Sequence, residues 1–191
     1  MSDLFFLIAI IFEVFYLTIF LLTIKSLEFR FWPPPSARSW QFFVSWIVAA
    51  LVVVLYLFLG FLDFDSFILP DFWDRFPIAF VFLTAGGMLG TWASLSFPFR
   101  TTIGLGDRLI TKGPYRYSRN PQYLGDSLQI IGYFFLTNSW RVGVISFLGI
   151  ALNILAVFTE EPWLEDRFGD AYREYKRHVP RFIGRRKMDA A

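Results

Sequence analysis

Two groups of polar residues adjoin apolar segments of this chain. The first, residues 113–125, holds arginine, asparagine and tyrosine, and the second is the pair Glu160-Glu161. Asn is favoured as a helix N-cap and Pro at the first helical position, so Asn120-Pro121 predicts a helix start. The free N–H groups of that helix end, with Arg119 beside them, are suited to a carboxylate or a phosphate. Two adjacent carboxylates at the end of a helix need a cation nearby, from a side chain or a ligand.

The residues that flank this helix start suggest contacts with a flat ligand. Tyr123 is suited to stacking or hydrogen bonding, and Gly125 would let a ligand approach the backbone. Gly113-Pro114 predicts a turn that leads into the segment. A basic loop that holds anionic lipid headgroups next to the membrane is the alternative explanation of these residues.

The elements that must position these groups are membrane helices. Of the 191 residues, 55% are hydrophobic and 18% charged, and the mean hydropathy is +0.49, so the bilayer is the expected solvent. There is no cysteine and a single histidine, His178. Thiolate metal sites and histidine-rich di-iron centres are thereby excluded, and we expect neither a metal nor a nucleic acid as partner.

Five apolar runs predict an all-α, polytopic membrane protein with about five transmembrane helices. A span needs roughly 17–25 residues. The first three runs meet this length, whereas the last two are short and are joined only by residues 138–140, which predicts a tight helical hairpin. A hairpin that does not cross the membrane fully is the alternative. The runs are 4–24, 41–62, 76–98, 121–137 and 141–158.

The basic residues predict the orientation in the membrane. Almost all of the 18 Lys and Arg residues lie in 25–40, in 99–120 or after 158, and only Arg75 and Arg141 lie elsewhere. Since basic loops stay in the cytoplasm, the N-terminus is predicted outside and the C-terminus inside. Both polar groups then face the cytoplasm. A prokaryotic plasma membrane is the expected location, or the endoplasmic reticulum if the chain is eukaryotic.

Other segments give further predictions. Residues 162–178, after Pro162, form an amphipathic pattern that predicts a C-terminal cytoplasmic helix on the membrane surface or over a cavity, followed by a return of 179–182 toward the site. Small residues at 86, 90 and 94 predict close helix packing. Glu13 lies within the first run, where it either pairs with Gln129 or Asp126 or has a function. We divide the chain into 1–98, an N-terminal three-helix region, and 99–191, which carries the motifs.

The motifs together resemble the integral-membrane methyltransferases, which include isoprenylcysteine carboxyl methyltransferases and phospholipid N-methyltransferases. The resemblance covers about residues 104–183 and does not specify the substrate. One position departs from the pattern, because many members carry His where this chain has Asn120, and Asn cannot act as a base near neutral pH. The matching motifs are Gly113-Pro114-Tyr115, Arg119-Asn120-Pro121-x-Tyr123-x-Gly125, Glu160-Glu161-x-x-Leu164, Phe168-Gly169-x-x-Tyr172-x-x-Tyr175 and Val179-Pro180-Arg181-Phe182.

The resemblance implies S-adenosylmethionine as methyl donor and a lipid-like or small hydrophobic acceptor. Arg119 and Asn120 would hold the donor's carboxylate, Glu160 and Glu161 its ammonium and ribose, and Arg181 an anionic group of the substrate. Arg119 and Glu161 are the expected catalytic residues. The expected cofactor-binding residues are Gly113, Tyr115, Arg119, Asn120, Pro121, Tyr123, Gly125, Glu160 and Glu161, and the expected substrate residues are Arg181, Tyr172 and Tyr175.

Two other functions remain open at this point. One is an NADPH-dependent membrane reductase, because sterol reductases resemble this superfamily in their C-terminal halves. The other is a non-enzymatic scaffold whose basic loops bind anionic lipid. The sequence leaves open whether the acceptor is a carboxylate, amine, thiol or hydroxyl, and it does not indicate an oligomeric state.

Overall fold

A computed structural model describes residues 1–26, 29–66, 73–96, 101, 103–106 and 108–184. This part of the chain contains helices and no strand, which confirms the predicted all-α class there. Several basic residues used above to predict the orientation lie outside the described residues: Arg100, Arg185, Arg186 and Lys187. The helices are α1 (Ser2–Lys25), α2 (Trp40–Leu62), α3 (Arg75–Leu95), a 3₁₀-helix (Gly113–Arg116), α4 (Pro121–Thr137), α5 (Trp140–Phe168) and α6 (Asp170–His178).

Four of these helices, α1, α2, α3 and α5, are long and apolar enough to cross a membrane. The chain is thus an integral membrane protein, whereas the fifth predicted span, α4, is not among the helices that meet this criterion. At 17 residues α4 is the shortest of the five, about 26 Å at 1.5 Å per residue, against a hydrocarbon layer of about 30 Å. It packs between α3 and α5, so its polar residues need not face lipid.

The predicted hairpin is confirmed by the short turn between α4 and α5. Pro121 is the first residue of α4, as predicted. Asn138 ends the helix with a left-handed backbone (φ 46°), a conformation that Asn tolerates better than most residues. The hydroxyl of Ser139 then accepts a hydrogen bond of 3.2 Å from the backbone N–H of Val142 and caps α5. The chain therefore reverses within two residues, and the two helices lie antiparallel.

The predicted small-residue contact joins α3 to α4. A Cβ placed on Gly125 would lie 2.7 Å from the backbone N of Gly90 and 2.9 Å from the backbone O of Gly86. No larger side chain fits at such separations without moving one of the helices. Gly125 therefore faces α3, and its close approach is to a helix rather than to the flat ligand that the sequence suggested.

The break between the last two helices lies at Gly169 and not at Pro162, where the sequence placed it. Helix α5 continues through Pro162 to Phe168. Gly169 has φ 53°, a left-handed backbone that glycine adopts without strain. Glu160 and Glu161 thus lie inside a helix, not at its C-terminal end. A 2.5 Å ion pair joins Lys176 of α6 to Glu165 near the end of α5.

At one end of the bundle the two isolated basic residues meet acidic partners. Arg141 pairs with Asp63 at 2.7 Å and with Asp3 at 2.5 Å. Arg75, which is buried, pairs with Asp65. The polar motifs predicted to form a site lie at the opposite end, since Glu160 comes 20 residues after Trp140 along α5, a rise of about 30 Å. The orientation of these two ends across the membrane remains a prediction.

Candidate functional site

A cavity of about 310 Å³ lies between the start of α4, the C-terminal half of α5 and the face of α6. It is lined by both charged and aromatic side chains, which come from α2, α4, α5 and α6 and from the segments that precede α2 and α4. The residues that line it are Trp32, Trp46, Ala49, Thr101, Arg108, Leu109, Ile110, Tyr115, Arg119, Asn120, Gln122, Tyr123, Asp126, Glu160, Leu164, Tyr172 and Tyr175. Seven of them are among the site residues that the sequence predicted.

Arg119 provides positive charge that is only partly compensated. Its Nη2 lies 3.2 Å from Oε1 of Glu161, and both side chains are 8% exposed. Its Nε and Nη1 are buried and have no hydrogen-bond partner in the described part of the chain. A buried donor without a partner costs about 1–3 kcal/mol, and more when it is charged. Arg119 is therefore prepared for an anion that approaches from the cavity.

Glu160 provides negative charge in the same cavity. Its Oε2 accepts a 3.1 Å hydrogen bond from the hydroxyl of Tyr123. That hydroxyl in turn accepts a 3.0 Å hydrogen bond from the indole Nε1 of Trp32. The chain of donors fixes both aromatic rings and the carboxylate, and it leaves the second oxygen of Glu160 for another donor. Asp126, one turn after Tyr123 on α4, adds a second carboxylate to the lining.

Glu161 has a different set of contacts from its neighbour. Its Oε2 accepts hydrogen bonds from Nε and Nη2 of Arg181, at 3.0 and 2.7 Å, while Oε1 faces Arg119. It is 6% exposed and does not line the cavity. The countercharge that two adjacent glutamates were expected to need is thus supplied to Glu161 by two arginines of the chain itself.

The segment after α6 returns to the helix start, as the sequence suggested. The backbone N–H of Arg119 donates to the carbonyl of Pro180 at 2.9 Å, and Nδ2 of Asn120 donates to the carbonyl of Arg181 at 3.0 Å. The side chain of Asn120 makes no capping bond to α4, although the residue occupies the N-cap position. Asn120 therefore binds the segment that follows α6 to the start of α4, beside the cavity.

Three tyrosines close the aromatic side, of which Tyr172 and Tyr175 are buried and Tyr115 is half-buried. The hydroxyl of Tyr175 donates a 2.6 Å hydrogen bond to the carbonyl of Tyr115, and Tyr172 is 1% exposed. Loss of hydration on burial raises the pKa of Tyr115, Tyr172 and Tyr175 above the usual value of about 10. These phenols stay neutral at physiological pH and act as packing surfaces and hydrogen-bonding groups.

Five predicted site residues lie outside the lining: Gly113, Pro121, Gly125, Glu161 and Arg181. Gly113 (φ 60°) makes the turn that carries Tyr115, Pro121 starts α4, and the other three have the contacts described above. The sequence analysis missed Trp32, Trp46, Arg108, Gln122 and Asp126 as site residues. Asp126 had a signal, because it is a carboxylate in an apolar run. Trp32 had none, since it reaches the cavity from a loop that carries no motif.

Residues 78–171 match the family model described as phospholipid methyltransferase. Among curated proteins, a steroid 5-alpha-reductase of Solanum lycopersicum is 27% identical over 59% of this chain and 44% of its own length. The nickel-cobalt-cadmium resistance protein NccN of Alcaligenes xylosoxydans xylosoxydans is 30% identical over 73% of this chain and 63% of its own. A protein-S-isoprenylcysteine O-methyltransferase of Schizosaccharomyces pombe is 32% identical over 38% and 31%.

The fold and the cavity thus define a helical membrane protein with a polar and aromatic cavity at one end of its bundle. The resemblance to the integral-membrane methyltransferase superfamily is confirmed by the family match and by the isoprenylcysteine methyltransferase relative. The chain spans less than two thirds of the length of each curated relative named above. No solved structure matches it significantly.

Proposed function

We propose that the protein is an S-adenosylmethionine-dependent methyltransferase that acts on a lipid-like or membrane-partitioned acceptor. The observation that carries the proposal is the pairing, in one cavity, of the two unpartnered nitrogens of Arg119 with the free carboxylate edge of Glu160. A zwitterionic amino acid group needs an anion-binding and a cation-binding side chain at close range. The volume of about 310 Å³ is at the small end of the range for ligand pockets.

The residues fit the donor. Arg119 would hold the carboxylate of S-adenosylmethionine through Nε and Nη1, and Glu160, helped by Asp126, would hold its ammonium. Tyr115, Tyr123 and Tyr172 offer flat surfaces for adenine and for a sulfonium. When bound, the donor supplies an activated methyl group for in-line displacement by a nucleophile. Gly113, Pro121 and Gly125 remain proposed as residues that shape this site through the backbone, and Glu161, Arg181 and Asn120 as residues that orient Arg119.

The chain's own contribution is alignment and exclusion of water. Tyr123 and Trp32 fix the cavity wall by hydrogen bonds, and α6 covers it with Tyr172 and Tyr175. For a transfer without a metal or a covalent enzyme intermediate, alignment of the two reactants gives the largest reduction of the activation free energy. Because neither Arg119 nor Asn120 is a base at neutral pH, the acceptor either arrives as a nucleophile, such as a carboxylate, or loses its proton to another group.

The test is equilibrium binding of labelled S-adenosylmethionine to the purified protein in lipid nanodiscs, followed by methyl transfer to a total lipid extract. We expect saturable binding that Arg119→Ala weakens strongly. Glu165→Gln, on the same side of the membrane but outside the cavity, is the matched control and should bind as the native chain does. Unchanged binding in Arg119→Ala would refute the assignment of this site.

A membrane reductase that uses NADPH is the second candidate, because the tomato steroid 5-alpha-reductase is among the matching proteins. Titration of both cofactors separates the two functions. Saturable NADPH binding without S-adenosylmethionine binding would establish the reductase. Binding of neither, with an affinity for anionic vesicles that falls steeply with salt, would instead establish a lipid-binding scaffold.

A further inference from the structure

A second, mostly apolar cavity of about 270 Å³ lies deeper in the helix bundle. Helix α2 packs against α1 but touches α4 and α5 only sparsely, and the space left between these four helices is the cavity. It shares Trp32, Trp46, Ala49 and Tyr123 with the polar cavity described above. The two spaces therefore meet at a common wall.

One carboxyl group disturbs the apolar lining. Glu13, in the middle of α1, is 2% exposed and lines the deep cavity. Its Oε2 has no hydrogen-bond partner among the described residues, so the pairing with Gln129 or Asp126 that the sequence suggested is not formed. Gln129 instead packs against α3 at Gly86. A buried carboxyl group without a partner is costly in either protonation state.

The position of Glu13 determines the distance between its carboxyl group and the wall that the two cavities share. Along α1, the deep cavity is lined by Glu13, Tyr16 and Phe20, and seven residues of helix separate Glu13 from Phe20, roughly 10 Å. Along α4, seven residues separate the shared wall at Tyr123 from Ile130, which approaches Gly149 beside Glu13. Helix α4 thus places the carboxyl group about 10 Å from the wall where the two cavities meet, because Tyr123 is one of the residues that they share.

We propose that the deep cavity binds the methyl acceptor, and that Glu13 recognises a hydrogen-bond-donating group, an amine or a hydroxyl, on its apolar body. This inference rests on the proposed methyltransferase function. The acceptor places its nucleophile at the shared wall and its donor group about 10 Å deeper, against Oε2 of Glu13. A carboxylate at that depth is rejected, because it would meet a second acidic group in a medium of low dielectric constant. Glu13 is thus a specificity residue and not a catalytic one.

The test uses photo-crosslinking in nanodiscs without any methyl donor, so that it is independent of catalysis. Four diazirine-labelled single-chain amphiphiles differ only in the head group: primary amine, alcohol, methyl ether and carboxylate. Peptide mass spectrometry compares labelling at Leu152, which lines the cavity, with labelling at Ile154, which is 41% exposed on the outer face of the same helix. We expect saturable labelling of Leu152 by the amine or the alcohol, roughly tenfold tighter than by the ether or the carboxylate.

Two variants examine the carboxyl group itself. Glu13→Leu, which removes both acceptor oxygens, should reduce the preference for the amine or alcohol to near that for the ether. Gly149→Ala adds a methyl group 3.9 Å from Oε1 of Glu13 and 3.4 Å from Ile130, so it narrows the space beside the carboxyl group while favouring the helix. It should weaken labelling by the same ligands. Thr18→Val, on the exposed side of α1, is the control and should change nothing.

Equal labelling by all four head groups, labelling confined to Ile154, an undiminished preference in Glu13→Leu, or undiminished labelling in Gly149→Ala would each overturn the inference. A preference for the amine over the alcohol, or the reverse, identifies which donor the cavity takes, and either result supports it. Failure of S-adenosylmethionine binding in the separate experiment would remove the proposed function while leaving this labelling pattern unaffected.

Discussion

Glu160 and Glu161 are identical in chemistry and adjacent in sequence, yet their contacts predict opposite consequences of the same substitution. Glu160→Gln removes a negative charge that faces the cavity, whereas Gln still accepts the hydrogen bond from Tyr123. Glu161→Gln removes the charge that pairs with Arg119 and Arg181. We therefore expect a binding defect from the first change and a stability defect from the second.

The magnitudes follow from burial. Breaking a buried ion pair by removing one partner costs about 3–5 kcal/mol. Arg119 is 8% exposed, but Arg181 is 38% exposed and can reach water, so the lower end, about 3 kcal/mol, applies to Glu161→Gln. For a chain of this length that is a fall in Tm of roughly 6–12 °C. Loss of one hydrogen bond to a charged group in Glu160→Gln corresponds to roughly 10- to 150-fold weaker binding of S-adenosylmethionine.

The assay measures both quantities on the same nanodisc preparations, by thermal unfolding and by equilibrium binding of the labelled donor. Glu165→Gln is the matched control, because its 2.5 Å ion pair with Lys176 lies at the surface and contributes little. Refutation would come from a reversed pattern, in which Glu161→Gln binds poorly at native stability, or from two variants that behave alike.

Three further predictions use the same preparations. Gly125→Ala should lower the free energy of unfolding by about 1–3 kcal/mol, because its Cβ would meet the α3 backbone. Gly87→Ala is the control and should not lower it, because nothing lies within 4 Å of its Cβ. Equal Tm values for the two variants would contradict the close packing of α3 and α4. Tyr123→Phe removes the hydroxyl between Trp32 and Glu160 and should weaken donor binding by roughly tenfold with little loss of Tm, which titration checks. The pKa values of Tyr115, Tyr172 and Tyr175 are raised in the folded chain, so the unfolded chain loses these protons first as the pH rises. The stability that the three neutral phenols contribute is therefore complete below about pH 10 and is lost above it. Ultraviolet titration should show the phenols ionising together with unfolding, and ionisation at native ellipticity would contradict their burial.

Local chemistry was enough to predict the parts of the fold that depend on neighbours in sequence. Asn120-Pro121 starts α4, residues 138 and 139 form the turn of the hairpin, and the small residues of α3 meet α4, because caps, turns and close contacts are set by one or two residues. The helix break was misplaced for a related reason. Pro162 disfavours a helix locally, but α5 continues through it to Phe168, and Gly169, which readily adopts positive φ, ends it.

The direction in which each side chain of the site points depends instead on packing between distant segments. Successive residues of a helix point about 100° apart, so only one of Glu160 and Glu161 can face the cavity, and the sequence assigned both to the donor. Arg181, in the segment that follows α6, determines which one does so. It binds Glu161, and Glu160 lies in the cavity beside Tyr123. That segment is in turn held by Asn120. Asn120 therefore helps to determine which of the two carboxylates faces the cavity, and the Glu160 and Glu161 variants measure that consequence directly.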